Sequence, residues 1–177
     1  RINMGSATAA SSENYNYSVV SDTNFSEALT QSPDSIVFWV KYTPVSSGEE
    51  ARMKAAIHDD YEFRDPTDAN SATHLVATAE LNYPSTSGSW VRKSVPFDYS
   101  GPSTTPEFIL LTFTTNKTPG GGDGNDEILI DDVELIYNSA SIQESIQKFN
   151  KVYHSYGNIF IESNDPLNGE YKIFNTS

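Results

Sequence analysis

Cysteine is absent from this chain, which excludes disulfide bonds and thiol chemistry. Long apolar runs are absent as well, so no transmembrane helix is expected. Basic residues are scarce: 11 Lys and Arg stand against 24 Asp and Glu, and the formal charge is −13. Nucleic acids and anionic membranes are bound through basic surfaces, so neither is expected as a partner.

Recognisable catalytic patterns are missing too. The three histidines, His58, His74 and His154, show no metal-binding spacing. The sequence contains no Gly-x-Ser-x-Gly motif and no phosphate-binding loop. A glycosidase needs two carboxylates that face each other across a cleft, and among 24 acidic residues no pair stands out. We therefore expect a protein that is not an enzyme.

What the 177 residues do contain is a series of short apolar segments between Gly and Pro turns. Strands are predicted at residues 35–44, 51–58, 74–81, 90–99, 108–115 and 127–137. Aromatic residues make up 12% of the chain, and no long helical periodicity is visible. These features predict an all-β domain, specifically a jelly-roll β-sandwich.

Residues 35–44 are the strongest predicted strand. Its even-numbered residues from Ile36 to Tyr42 share one face, and Val37 and Trp39 share the other with Lys41. Because both faces are largely apolar, we expect a central strand that is covered on both sides. Trp39 is accordingly expected in the core.

Residues 59–70 form a twelve-residue polar stretch between two predicted strands. Long loops on a β scaffold often carry function. A run of charged residues also fits a solvated connection, and this is the interpretation we favour. A functional loop stays open as the alternative.

Four blocks of sequence follow one another in an order that resembles a known family. They are residues 33–44, Trp90 with residues 95–99, residues 106–116, and residues 130–137 with their Ile-Asp-Asp-Val start. Together they resemble the carbohydrate-metabolism (PCMD-like) domain of Bacteroidetes surface proteins, over roughly residues 25–138. The resemblance implies a β-sandwich similar to carbohydrate-binding modules, which we assign to residues 1–138.

The texture of the sequence changes after Tyr137. Residues 139–150 are predicted to be a linker, and residues 151–177 contain Val152-Tyr153 followed by two further strand-like segments. This last part resembles the start of a type IX secretion C-terminal sorting domain, with His154-Ser155 where the family usually has Asn-Pro. The resemblance implies an extracellular or cell-surface location, with the type IX translocon and its sorting-domain receptor as partners. Because half of that domain is missing, we expect the chain to be a piece of a longer precursor.

A glycine-rich loop leads into the last strand of the predicted sandwich. Residues 118–137 carry six acidic side chains and no basic one. The spacing that starts at Asp123 fits an EF-hand only until Ile128, which stands where that motif requires Gly. Carbohydrate-binding sandwiches similar to this one often hold a structural calcium ion beside this strand. A Ca²⁺ site is therefore a hypothesis, with Asp123, Asp131 and Asp132 as candidate ligands; hydrogen bonds from these carboxylates to nearby backbone amides are the alternative.

Exposed aromatic rings are the natural platforms for sugar rings, while carboxylates and amides bind the hydroxyl groups. The candidates are Trp90, Tyr99, Tyr42 and Tyr61, although each of these rings also fits a core position. We expect a secreted or cell-surface, non-catalytic module that binds glycan. A structural or adhesive surface module without a glycan ligand is the alternative.

Overall fold

The computed structural model describes residues 2–3, 15–118, 121–137, 151–155 and 158–162. The chain divides into two compact units, Arg1–Asn138 and Ser139–Ser177. In the second unit, β11 (Lys151–Ser155) and β12 (Asn158–Glu162) pair as an antiparallel hairpin. The third strand that the sequence predicts there, at residues 170–175, lies outside the described residues.

The described part of the first unit is built almost entirely from strands, with one five-residue helix. That helix is too short to cross a membrane, and no membrane-spanning helix is found among the described residues. In chain order the elements are β1 (Ile2–Asn3), β2 (Asn16–Ser18), β3 (Glu27–Ala28), β4 (Ser35–Thr43), β5 (Glu50–His58), β6 (Phe63–Asp65), α1 (Ala69–Thr73), β7 (Leu75–Pro84), β8 (Val91–Pro96), β9 (Phe108–Thr114) and β10 (Glu127–Ile136).

Two four-stranded antiparallel sheets make up the sandwich. The first sheet has the order β1-β10-β4-β8, and the second has the order β3-β9-β5-β7. Along the strands of these two sheets, the chain crosses to the other sheet at every step except from β5 to β7, which pair with each other and are connected through β6 and α1. Long strands that are neighbours in space but distant in sequence, such as β4 and β10, give the jelly-roll arrangement. The all-β sandwich predicted from the sequence is confirmed.

The core follows from the two-residue period of the central strands. On β4 the even-numbered residues from Ile36 to Tyr42 are fully buried, and on β5 Met53, Ala55 and Ile57 face them. The Phe38 ring meets the Phe113 ring edge to face, with 5.2 Å between the ring centroids. Each sheet therefore contributes one apolar face, and the two faces form a single core.

The outer face of the second sheet is covered by the protein's own chain. Phe63 on β6 is 1% exposed and packs with Ala56 on β5 and Leu110 on β9. β6 pairs with β2, and the side-chain amide of Asn16 on β2 donates a hydrogen bond to the Leu111 carbonyl oxygen on β9. The expectation of a solvated connection at residues 59–70 was therefore wrong, because non-local apolar and polar contacts hold this stretch on the sheet.

A buried ion pair fixes the cover in place. Arg52, on the outer side of β5, donates to Asp65 on β6 at 2.5 Å, and the Lys54 amino group lies 3.5 Å from the same carboxylate. Asp65 is 2% exposed. Burial opposes the charge on Arg52, but the hydrogen bonds and negative charges of Asp65 and Glu80 outweigh it and raise the pKa of the guanidinium. The charged face of β5 thus gains its counter-ion from residues 59–70, which we call the covering segment.

We expect Phe63→Ala to lower the free energy of unfolding by about 3–5 kcal/mol, the usual cost of removing a buried phenylalanine ring. The matched control is Phe25→Ala, because Phe25 is 63% exposed and its replacement should change stability by less than about 0.5 kcal/mol. Urea unfolding of both variants provides the measurement. Equal stabilities for the two variants would show that residues 59–70 do not pack on the sheet.

Candidate functional site

The outer face of the first sheet carries both tryptophans of the chain. Trp39, in the middle of β4, lies opposite Arg92 on β8 and opposite Asp131 on β10. Trp90 directly precedes β8, and strand alternation places it on the same side as Arg92. Trp39 is 37% exposed and Trp90 is 45% exposed. The expectation of a buried Trp39 was wrong: Val37, on the same side of β4, is 3% exposed, but that burial does not extend to Trp39 as the cover of residues 59–70 extends over β5.

We call this surface the tryptophan face and define it by Trp39, Lys41, Trp90, Arg92, Asp131 and Glu134. Neighbouring strands lie about 4.8 Å apart, so the row Arg92, Trp39 and Asp131 spans about 10 Å across three strands. Trp39 and Trp90 are diagonal neighbours on adjacent strands, which places such Cβ atoms about 7–8 Å apart. The arrangement sets aromatic rings between a hydrogen-bond donor and a hydrogen-bond acceptor.

A β-bulge shapes one side of the tryptophan face. The pairing of β10 with β4 shifts register between Asp131 and Glu134. Asp132 lies in the bulge with a φ of 46°, a left-handed conformation that aspartate adopts more readily than most residues. Its backbone N–H donates to Asp131 Oδ1 at 2.9 Å. Bulges redirect side chains, and this one places exposed acidic groups beside Trp39.

Two of the predicted aromatic candidates are tied into the sandwich. Tyr42 is 0% exposed, and its hydroxyl donates to the Thr115 carbonyl oxygen at 2.8 Å. Burial, with the negative charges of Asp126 and Glu49, raises the pKa of Tyr42 to about 12. Its prediction as a ligand-binding residue was wrong, because β4 alternation turns this ring into the core.

Tyr99 is 43% exposed, and its hydroxyl donates to the Pro33 carbonyl oxygen at 2.6 Å. Burial is the main cause that raises its pKa. Tyr99 follows β8 whereas Trp90 precedes it, and β8 is six residues long. About 20 Å of strand therefore separates the two rings, so they do not form one surface.

Tyr61 lies on the covering segment and is held in a fixed orientation. Its ring stacks on His74 with 4.1 Å between centroids, and Asn70 donates to its hydroxyl at 2.8 Å. The exposed ring lines a depression of about 130 Å³ together with Arg64 and Asp68. Ligand pockets usually exceed about 300 Å³, so this depression is too small to enclose a ligand.

Asp59 of this segment contacts His74, which follows α1, and Ser103, which lies between β8 and β9, but the three residues are not in a catalytic arrangement. His74 Nδ1 lies 2.9 Å from Asp59 Oδ1, and the Ser103 hydroxyl donates to Asp59 Oδ2 at 2.8 Å. A serine nucleophile needs the histidine next to its own hydroxyl, whereas here both groups bind the aspartate. Desolvation opposes ionisation of Asp59, yet the hydrogen bonds from Ser103 and His74 together hold its pKa below the ordinary value.

The candidate calcium ligands are held by local hydrogen bonds. Asp123 Oδ1 accepts from the backbone N–H of Asn125 at 2.9 Å, and Asp131 accepts from Asp132 as described above. Within the described ranges, no group of three or more His, Asp or Glu side chains is placed to hold a metal ion. The donor set in the described residues therefore does not form a cation site by itself, and the calcium hypothesis stays a prediction.

Asp126 is a structural residue of the glycine-rich loop that the sequence did not reveal. It is 0% exposed; Oδ1 accepts from the Val45 N–H at 2.8 Å and Oδ2 accepts from the Asp123 N–H at 2.7 Å. These bonds tie the loop before β10 to the turn after β4. Spacing could not distinguish Asp126 from its acidic neighbours, because its partner Val45 lies far away in sequence.

Trp39 and Arg92 are the surface residues that sequence reasoning missed. The sequence indicates that Trp39 shares the outer side of β4 with Lys41. It does not show that this side meets water, because Arg52 and Lys54 stand in the same way on the covered side of β5. Arg92 and Trp90 likewise alternate with Val91 and Val95 on β8. Combining these two patterns would have placed both tryptophans on one outer face.

The chain is similar in fold to solved proteins from Bacteroides. One, from Bacteroides thetaiotaomicron and described as a "putative glycoside hydrolase", shares 20% identity at a TM-score of 0.53, and the match covers 65% of this chain and 41% of that protein. Another with the same description, from Bacteroides vulgatus, shares 18% identity at a TM-score of 0.48, with 63% and 55% covered. This chain thus spans about half or less of each neighbour, and the likeness concerns the fold alone. No family model and no curated protein matches the sequence.

His58 makes the stability of the sandwich depend on pH. It is 0% exposed and stacks between Phe63 and Phe108, and burial lowers its pKa from 6.5. As pH falls through about 6.5, the unfolded chain takes up a proton that the folded protein resists, so stability decreases.

We expect His58→Phe to remove the part of the pH dependence of stability that His58 causes. Urea unfolding at pH 7.5 and pH 5.5 should show a smaller loss of stability for the variant than for the parent protein. An equal loss in both proteins would contradict a buried, neutral His58. The parent protein measured at pH 7.5 and pH 8.5 serves as the control, since His58 is neutral throughout that interval.

Proposed function

We propose that the sandwich is a non-catalytic module that binds glycan through the tryptophan face and works outside the cell. The observation that carries this proposal is the exposure of both tryptophans on one sheet face, beside Arg92 and Asp131. Indole rings stack on the apolar C–H side of a sugar, and the flanking groups bind its hydroxyls.

The other surfaces of the sandwich are less suited to binding a glycan than the tryptophan face. The outer face of the second sheet is closed by β2 and β6, with Phe63 packed on Ala56. The depression at Tyr61 measures only about 130 Å³. On the outer face of the first sheet, Val37 is buried but Trp39, Trp90 and Arg92 are exposed, and an exposed area of this kind suits a chain-like ligand that lies across it.

The chemistry of the tryptophan face favours binding over hydrolysis. Glycosidases place two carboxyl groups about 5–10 Å apart on either side of the scissile bond. Here the group opposite Asp131 across Trp39 is the guanidinium of Arg92, which stays protonated and cannot act as the acid. The Bacteroides thetaiotaomicron neighbour described as a putative glycoside hydrolase shares the fold, and this adds support for a carbohydrate-related role without implying turnover here.

Trp39→Ala and Trp90→Ala should each weaken glycan binding at least about tenfold, because each removes one stacking ring; this equals about 1.4 kcal/mol or more. The measurement is a glycan array followed by titration calorimetry with the best ligand. Phe25→Ala is the matched control, since it removes a 63% exposed ring elsewhere and should leave binding unchanged.

Thermal unfolding of all three variants should remain close to that of the parent, because the rings are exposed. If the parent protein bound none of the glycans on a broad array, glycan binding would be contradicted. The structural or adhesive surface module would then be the better account.

We further propose that the protein reaches the cell surface as cargo of the type IX secretion system. The resemblance of residues 151–177 to the start of a sorting domain supports this route, with the translocon and its receptor as partners. Residues 139–150 would then be the linker at which the tail is removed.

Deleting residues 151–177 from the natural precursor should keep the protein inside the outer membrane. Cell fractionation and surface immunolabelling measure the outcome, and a precursor with Trp39→Ala is the control that should still be exported. Unchanged surface display of the deleted form would contradict this route, whatever the glycan assays show.

A further inference from the structure

We propose that the tryptophan face selects neutral glycan chains and discriminates against uronic-acid and sulfated chains. This inference rests on the proposed glycan binding and adds the class of ligand. It follows from the position of charged groups around Trp39 and not from the rings, since indole stacks on neutral and acidic sugars alike.

Charge is distributed unevenly across the tryptophan face. On the β10 side the bulge holds Asp131, Asp132 and Glu134, and all three are exposed. On the β8 side of Trp39 stands Arg92, which is exposed, while Lys41, which is half-buried, lies on β4 itself and opposite Leu129 on β10. Three carboxylates therefore meet two cations, within a chain whose formal charge is −13.

The charged groups nearest Trp39 can still form hydrogen bonds with a ligand. Among the described residues, no carboxylate forms an ion pair with Arg92, and Asp131 uses one oxygen for the Asp132 N–H. A sugar hydroxyl both donates and accepts, so one neutral ring on Trp39 can accept from Arg92 at one rim and donate to Asp131 at the other. The donor and acceptor stand about 10 Å apart at their backbones, which leaves room for a ring between them.

An acidic chain meets a different surface. Its carboxylate or sulfate groups recur along the chain, so one that approaches Arg92 brings others towards the β10 side. There they would face three carboxylates, Asp131, Asp132 and Glu134, with one half-buried cation, Lys41, beside them. Like charges at such distances repel, and the net charge of the whole protein slows the approach of any polyanion.

The test compares two sets of polysaccharides by affinity electrophoresis and calorimetry with the full chain. The neutral set is β-glucan, xylan and mannan; the acidic set is polygalacturonate, alginate and chondroitin sulfate. We expect binding to one or more neutral chains, an affinity that changes less than about twofold between 50 and 500 mM NaCl, and at least tenfold weaker binding to every acidic chain.

A charge variant makes the test specific. Asp131→Asn with Glu134→Gln keeps the shape of the face and removes two negative charges, so the ratio of acidic to neutral binding should rise. Arg92→Met should weaken binding to the neutral ligand, because methionine has no N–H group to donate. Phe25→Ala remains the control for the state of the fold.

The possible outcomes separate this inference from the proposed function. Tight binding to an acidic chain that is lost with Trp39→Ala would overturn the selectivity and leave glycan binding intact. No binding to either set would overturn both. Concentration-dependent self-association that disappears in Trp39→Ala, seen by sedimentation, would assign the tryptophan face to a second copy of the chain and overturn both as well.

Discussion

The ion pair between Arg52 and Asp65 is the constraint on which the two-sided character of the sandwich depends. Arg52 points away from the core on a central strand, where an unpaired guanidinium could stay only if it met water. Asp65 supplies the counter-ion from β6, and Phe63 on the same short strand supplies apolar contact with Ala56. Breaking such a pair leaves a buried charge uncompensated. The covering segment is therefore held by charge and by packing at once, and one outer face of the sandwich is closed to any ligand.

Because the outer face of the second sheet is covered, the outer face of the first sheet is the one considered for ligand binding. The first sheet has the same antiparallel geometry, but the described residues place no segment over Trp39. The bulge in β10 adds a second difference, because it interrupts the pairing beside Trp39 and concentrates carboxylates there. Asp132 adopts a left-handed conformation at this bulge, in a part of β10 that pairs with β4 and beyond the described pairing with β1 at Glu127 and Ile128. The bulge lies beside the exposed ring of Trp39, in the face to which we assign binding.

The alternation of apolar residues was sufficient to predict the six long strands of the two sheets and the sandwich class, but it did not predict β6 within residues 59–70. It predicted Ile36, Phe38 and Val40 on one face of β4 and Met53, Ala55 and Ile57 on the inner face of β5. Alternation cannot say which outer face is covered, because the cover comes from residues far away in sequence. That is why Trp39 was expected inside and residues 59–70 were expected in solvent. Tyr42 was a candidate as an aromatic ring, but it lies on the core-facing side of β4, where the Thr115 carbonyl oxygen accepts from its hydroxyl.

Strand β4 contributes to the stability of the fold through one side and to the proposed binding through the other. Its even-numbered residues are fully buried in the common core, and alternation directs Trp39 and Lys41 to the opposite side. Successive side chains point in opposite directions, so packing in the core fixes the backbone to which Trp39 is attached. That backbone keeps Trp39 in register with Arg92 and Asp131 without any contact made by the indole itself. A platform built in this way is preorganised by the core, so a ligand that stacks on it meets rings whose backbone positions are already set, and little ordering cost remains at the moment of binding.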